Sequence, residues 1–202
     1  MKIHLWIGTK AELIKMVGVI KELDRRKIPY NYVHTGQHTN DSVILSSIFN
    51  IRKPDTYIAP LKRNLLNPKE MFFWFFRVLK NSLNYSEIRK GDIVIVHGDT
   101  ESALLGMLVA KMKGAKLMHV EGGLRTGHLV NPFPEEIIRR LVDRSSSHLF
   151  VPGKTAEKNV LNFKPKEKVT NTLFNTGWDS LILSLNIKPT ISIPKGKYAV
   201  LM

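Results

Sequence analysis

Short apolar runs that end in glycine-bearing turns alternate with amphipathic segments along most of this 202-residue chain. No feature constrains the fold more. An apolar run with no polar alternation marks a strand buried on both faces, and a helix after each such strand is the way parallel neighbours are joined. The first run covers 2–7 and ends at Gly8-Thr9. Leu13, Met16, Val17, Ile20 and Leu23 then recur at helical spacing up to the basic stop Arg25-Arg26-Lys27. A strand is expected over 30–34 and a helix over 43–49, followed by an irregular basic stretch over 51–66. Asn67 and Pro68 open a helix over 68–85. The clearest units follow: strand 92–97, helix 102–113 stopped by Gly114, strand 115–120, and a helix from Pro134 to about Arg144. Strand 148–151, helix 155–161 and a short strand over 173–175 complete the series. This order predicts an α/β fold: right-handed βαβ units forming a Rossmann-like parallel sheet with helices on both faces.

Composition narrows the function classes. There is no cysteine, which excludes thiolate metal sites and catalytic thiols and fits a cytoplasmic location. No apolar run approaches the roughly 18 residues of a membrane span, and the N-terminal run is too short and too polar for a signal peptide. The net charge of +14 is spread singly rather than along one element, so no nucleic-acid partner is expected. A solvated basic surface accounts for most of it, with attraction of a polyanionic ligand as the functional alternative. The stretch 91–138 stands apart, with four basic against six acidic side chains.

Ligands of open parallel sheets bind beyond the carboxyl ends of the strands. Two strand ends here carry one local pattern, His97-Gly98-Asp99 and His119-Val120-Glu121. If the strands adjoin, both carboxylates reach one sheet edge, where one pKa would rise and the pair could divide acid and base work. The competing reading is two solvated loop carboxylates, with Asp99 capping the next helix. Glu135 and Glu136 open a helix, where the dipole favours them, and each stands four residues before an arginine, Arg139 and Arg140. Lys10 and Lys15 follow the first glycine turn, suited to a phosphate or sugar. Gly153-Lys154-Thr155 lacks the earlier glycine of a P-loop. Neither a G-x-G-x-x-G nor a zinc motif occurs, so neither a nicotinamide cofactor nor a metal is expected. In Phe72-Phe73-Trp74-Phe75-Phe76, part should be core and part should cover a neighbouring subunit or domain, a membrane surface being the sharper alternative.

Four blocks in order resemble the non-hydrolysing UDP-N-acetylglucosamine 2-epimerases. They are Gly8-Thr9-Lys10-Ala11-Glu12-Leu13-Ile14-Lys15-Met16, Thr35-Gly36-Gln37-His38, Val96-His97-Gly98-Asp99-Thr100, and His119-Val120-Glu121-Gly122-Gly123-Leu124-Arg125-Thr126-Gly127 continuing to Pro132-Phe133-Pro134-Glu135-Glu136. The resemblance covers nearly the whole chain but only the first half of a family member. It implies the N-terminal domain of a glycosyltransferase-B-like two-domain fold. Residues 1–185 would form that domain, 186–197 a linker, and 198–202 the first strand of a second domain. It further implies conversion of UDP-N-acetylglucosamine to UDP-N-acetylmannosamine by elimination and re-addition of UDP, without an external cofactor, for surface polysaccharide or glycan synthesis. By matching position, Asp99, Glu121 and Glu135 would be catalytic and Lys10 and Lys15 would contact the substrate. Gln37 and His38 match residues tied to an allosteric UDP-sugar site in bacterial members, and members commonly dimerise. The sequence departs from the pattern at Lys10 (usually arginine), Ala11 (commonly proline), Gly122 (more often alanine) and Trp178 (usually asparagine). The competing functions are the hydrolysing epimerase, a glycosyltransferase acceptor domain and a non-catalytic half.

Overall fold

The computed structural model describes residues 1–61, 67–129, 131–188 and 196–197. In chain order the elements are β1 (Ile3–Ile7), α1 (Lys10–Arg25), β2 (Tyr30–His34), α2 (Thr39–Ile48), β3 (Thr56–Tyr57), α3 (Pro68–Asn84) and β4 (Ile93–His97). They continue with α4 (Glu101–Lys113), β5 (Lys116–Val120), α5 (Glu135–Ser145), β6 (His148–Val151), α6 (Gly153–Leu161), β7 (Val169–Asn171) and α7 (Thr176–Ser184). The seven strands form one sheet in the order β3-β2-β1-β4-β5-β6-β7, and every pairing is parallel. The chain builds outward from β1 to β3, then returns to the other side of β1 and continues from β4 to β7. The strand order therefore reverses between β1 and β4, which is where a parallel sheet opens a crevice at its carboxyl edge.

Alternation along β1 divides the core. Leu5 and Ile7 join Tyr30, Tyr32 and Val120 beneath Leu13, Met16 and Ile20 of α1. Trp6 points the other way, with Val94 and Val96, onto Trp74 and Val78 of α3, Leu105 and Val109 of α4 and Val142 of α5. Burial of both faces is why the strands read as continuous apolar runs. Helix ends obey their local signals. Thr9 and Glu12 form a reciprocal capping box on α1, Thr100 caps α4, and Gly114 ends α4 in the left-handed conformation. Helix α7 lies on α1, and Gly18 allows the approach: a Cβ there would sit 2.9 Å from Asp179 Cβ.

Several expected boundaries move. Helix α2 begins four residues earlier than expected, at Thr39, because its first turn is polar. The stretch expected to be irregular contains β3, two residues paired to the end of β2. The strand expected over 173–175 does not form. Leu173 has φ 68° and is exposed with Phe174, and the edge strand is the polar Val169–Asn171 instead. Asn175 then caps α7, a helix absent from the expected series. The expected linker lies outside the described residues except at 186–188 and 196–197, and the strand expected over 198–202 lies wholly outside them. Part of the aromatic run is core, as expected. Trp74 is buried and donates from Nε1 to Ala59 O at 3.0 Å, while Phe72, Phe73 and Phe76 are exposed.

Two glycines at strand ends make a controlled comparison. Gly36 has φ +104°, and a Cβ there would lie 2.4 Å from the backbone oxygen of Ala59; Gly98 has φ +67° with nothing within 4 Å. Gly36→Ala combines backbone strain with overlap and should cost about 2–5 kcal/mol. Gly98→Ala should cost about 1–2 kcal/mol, from conformation alone. Urea unfolding of both variants checks the difference.

His34 at the end of β2 is fully buried, and its Nδ1 accepts the Gly36 N–H at 3.0 Å. Burial, aided by the nearby His38, lowers its pKa from 6.5 to about 3, so the ring is neutral in the fold. An unfolded chain takes up that proton first as pH falls. This stabilising contribution is complete above about pH 6.5 and should be lost as pH falls toward about 3. His34→Asn, whose Oδ1 can accept the same N–H, should flatten the urea midpoint against pH over that range.

Candidate functional site at the carboxyl edge of the sheet

Four loops meet at the carboxyl ends of β1, β2, β4 and β5. Glu12 secures two of them. It is buried, and its Oε2 accepts the N–H groups of Gly8 (2.7 Å) and Thr9 (2.8 Å), while its Oε1 accepts the Thr100 hydroxyl. Burial pushes this carboxyl above its usual range against those hydrogen bonds. Around Gly8, Thr35 and Ser102 hydroxyls lie 3.0 Å apart, so β2 and α4 close onto the same turn. A Cβ on Gly8 would fall 1.7 Å from Ser102 Oγ, which is why only glycine fits.

Glu121 follows β5 directly, in the left-handed region at φ 66°, a conformation uncommon outside glycine. Its Oε1 receives Lys15 Nζ of α1 at 2.7 Å, and His97 Nε2 at the end of β4 lies 3.2 Å from Oε2. The Thr176 hydroxyl of α7 lies 3.4 Å from the same His97 nitrogen. Burial alone would raise the Glu121 pKa, but His97 and Lys15 outweigh it and hold the carboxyl at about 2.

Strands β4 and β5 do adjoin, with His97 opposite Val120. The expected carboxylate pair with one raised pKa is nevertheless corrected. Asp99 is paired with Arg139 of α5, while Glu121 has its own cation in Lys15, so each carboxylate is separately neutralised. Nor does Asp99 cap α4; Thr100 does. The expected four-apart pairs hold in one case only. Glu136 is fully buried and meets Arg140 Nε at 2.7 Å and Arg139 NH1 at 2.9 Å. Arg139 thus bridges Glu136 and Asp99 rather than pairing with Glu135. Glu135 opens α5 half-buried, and its Oε2 is buried without a hydrogen-bond partner.

A second shell of charge supports the Glu121 loop from behind. Asp143 of α5 is fully buried; it receives His119 Nδ1 and Arg125 NH1, each at 2.8 Å, and the Gly123 N–H at 3.2 Å. His119 Nε2 reaches Gly98 O at 2.7 Å, which ties the β5 loop to the β4 loop. A Cβ on Gly122 would lie 2.8 Å from Asp143 Oδ1.

Lys10 is exposed at the start of α1, and its backbone N–H donates to His38 Nδ1 at 3.1 Å. Gln37 and His38 are half-buried on the adjoining β2–α2 turn, with Gln37 Oε1 buried and unpartnered. The structure therefore joins Lys15 to Glu121 and Lys10 to His38, and gives Asp99 and Glu135 separate surroundings near the start of α5. Sequence reasoning missed Glu12, His97, Glu136, Arg139 and Asp143 as members of the constellation. Glu12 carries a local signal, the Thr-x-x-Glu capping box. Among the described residues no group of three or more His, Cys, Asp or Glu is placed to hold a metal ion, and no helix is long and apolar enough to cross a membrane.

The family model described as UDP-N-acetylglucosamine 2-epimerase matches residues 21–202. The chain belongs to the UDP-N-acetylglucosamine 2-epimerase family. The epimerase of Methanococcus maripaludis is 34% identical over 190 residues, covering 92% of this chain and 49% of that protein. The crystal structure of the Neisseria meningitidis epimerase bound to UDP-GlcNAc superposes with a TM-score of 0.77 at 32% identity, covering 92% of this chain and 49% of that one. That of Methanocaldococcus jannaschii, in complex with UDP-GlcNAc and UDP, gives 0.75 at 31% identity, with coverages of 92% and 49%. The chain spans about half the length of the relatives it matches, and its sheet is that of the first half of a glycosyltransferase-B-like epimerase.

Proposed function

We propose that this chain supplies the carboxylate-bearing half of a UDP-N-acetylglucosamine 2-epimerase, which interconverts UDP-N-acetylglucosamine and UDP-N-acetylmannosamine. The observation that carries the reading is the Lys15–Glu121–His97 group at the carboxyl edge of the sheet, with Asp99 on the loop after β4. Epimerisation needs a base to take the C2 proton while the C1–oxygen bond to UDP breaks. It then needs an acid to return a proton on the other face as UDP adds back. Glu121 is one of three carboxylates among which the base and acid roles would be divided. Asp99 and Glu135 are the further carboxylates of the reading, and Lys10 and Lys15 are its cations for the departing diphosphate. No external cofactor enters this scheme. Gln37 and His38, beside Lys10, are the proposed contacts of a second, regulatory UDP-sugar. The exposed face of α3, with Phe72, Phe73 and Phe76, is the proposed contact with a second copy of the chain, in a cytoplasmic enzyme of polysaccharide synthesis.

The test is incubation with UDP-N-acetylglucosamine in D₂O, followed by NMR. The 202-residue chain should leave C2 protonated, and a form extended to the length of its relatives should incorporate deuterium there. No exchange in the extended form would sink the reading. Release of free N-acetylmannosamine would identify the hydrolysing reaction instead.

A further inference from the structure

The ion pair between Lys15 and Glu121 joins two unequal partners. The Lys15 side chain is 36% exposed and sits on a flexible stem, whereas Glu121 is 9% exposed and fixed on a strained turn. An anion arriving from solvent can therefore reach the ammonium without displacing the carboxylate. The environment of Glu121 is simple. Lys15 faces it from α1 and His97 from β4, and α7 contributes the uncharged Thr176 hydroxyl beside His97. Behind the loop, Asp143 from α5 is already matched by Arg125 and His119. The two Glu121 oxygens also differ. Oε1 holds Lys15, while Oε2 is buried, without a hydrogen-bond partner, 3.2 Å from His97 Nε2.

We propose that Lys15 changes partners when a diphosphate-bearing ligand binds: its ammonium leaves Glu121 for the diphosphate, and the proton affinity of Glu121 rises. The inference deepens the epimerase reading and rests on it for the ligand class. Its physical basis is a difference in burial. Of the two groups facing Glu121, Lys15 is the more exposed, and without it the buried carboxylate keeps His97 against a desolvation cost that favours the neutral acid. Substrate binding would thus raise the proton affinity of a carboxylate at the reacting edge, which the free site holds ionised. By linkage, the diphosphate and the proton each favour binding of the other.

Glutamate side-chain carboxyl NMR tests this directly on the 202-residue chain, with Glu121→Gln identifying the resonance. In the free chain Glu121 should stay ionised down to strongly acid pH. Millimolar pyrophosphate, and UDP in a parallel arm, should move its midpoint upward by about one unit or more, a tenfold change in proton affinity. Lys15→Met should produce that upward shift with no ligand, and pyrophosphate should then add nothing. A pyrophosphate that leaves the midpoint in place overturns the exchange, whether Lys15 serves both anions at once or ignores the added one. A Lys15→Met chain whose Glu121 titrates as before overturns it equally. A shift with UDP but not with pyrophosphate would show that the nucleoside, and not the diphosphate, drives proton uptake, which also overturns it. C2 exchange is scored separately, so the epimerase reading can stand while this inference fails.

Discussion

Glu121→Gln should slow C2 exchange by about 10²–10⁴-fold in a form of the protein that performs it, the usual worth of one positioned acid–base group. The substitution keeps the shape of the side chain and its place at φ 66°, and removes only the charge and the ability to carry a proton. Lys15 then loses its partner, but its ammonium is already in contact with water and can be solvated there. The folded state should consequently survive with a change of no more than about 1–2 kcal/mol, within the ordinary range for one altered hydrogen bond. Loss of exchange in a chain whose unfolding midpoint is nearly unchanged is the expected pair of results. Near-normal exchange would remove Glu121 from the chemistry and with it the reason for assigning Lys15.

Asp143→Ala should act in the opposite sense, on the fold first. The carboxylate is fully buried and serves three donors: the His119 ring, the Arg125 guanidinium and the Gly123 N–H. Removing it takes the acceptor from His119 Nδ1 and the Gly123 N–H, while His119 Nε2 keeps Gly98 O and Arg125 NH1 keeps Leu124 O. Arg125 can swing toward solvent; His119, fully buried, cannot. Breaking one side of a buried ionic group costs about 3–5 kcal/mol. Against a total stability of about 5–15 kcal/mol for a typical domain, that is a large part of what holds the chain folded. A urea series at fixed pH should show the midpoint falling sharply with little change in slope. Asp143→Asn, which keeps one oxygen for His119 but turns an amide toward Arg125, should fall between the two. A loss below about 1 kcal/mol for the alanine variant would mean that His119 and Arg125 find other partners.

Much of the fold was legible because it is written in local patterns. The runs ending at Ile7, His97 and Val120 are apolar on both sides, and Thr9, Asn67, Thr100 and Gly114 mark helix ends by chemistry that acts within one turn. The edge was less legible. Val169–Asn171 is a three-residue polar strand that has, among the described residues, a neighbour on one side only, while Leu173 and Phe174 are apolar yet exposed. The site shows the same division. Asp99 and Glu121 fall on neighbouring strand ends, as the repeated pattern at β4 and β5 implied. Their ion-pair partners are distant in sequence: Lys15, 106 residues from Glu121, and Arg139, 40 residues from Asp99. Spacing within one motif carries no information about cations that arrive from another element, so a shared-proton pair was expected where two separate ion pairs exist.

The strand order has a consequence for how the molecule comes into being. β1, synthesised before the other described strands, ends up inside the sheet, with β2 on one side and β4 on the other. Its first neighbour is made within a few dozen residues, but the partner for its second side begins only at Ile93. During synthesis, the run Ile3–Ile7 must therefore wait with one row of backbone donors and acceptors unpaired, the kind of edge that other chains can capture. The bonds from Glu12 to Thr100 and from Lys15 to Glu121 form across that same gap, so the site cannot exist until the wait is over. A nascent chain stopped before residue 93 would be at its most vulnerable to aggregation, and a chaperone that shields β1 would act there to greatest effect.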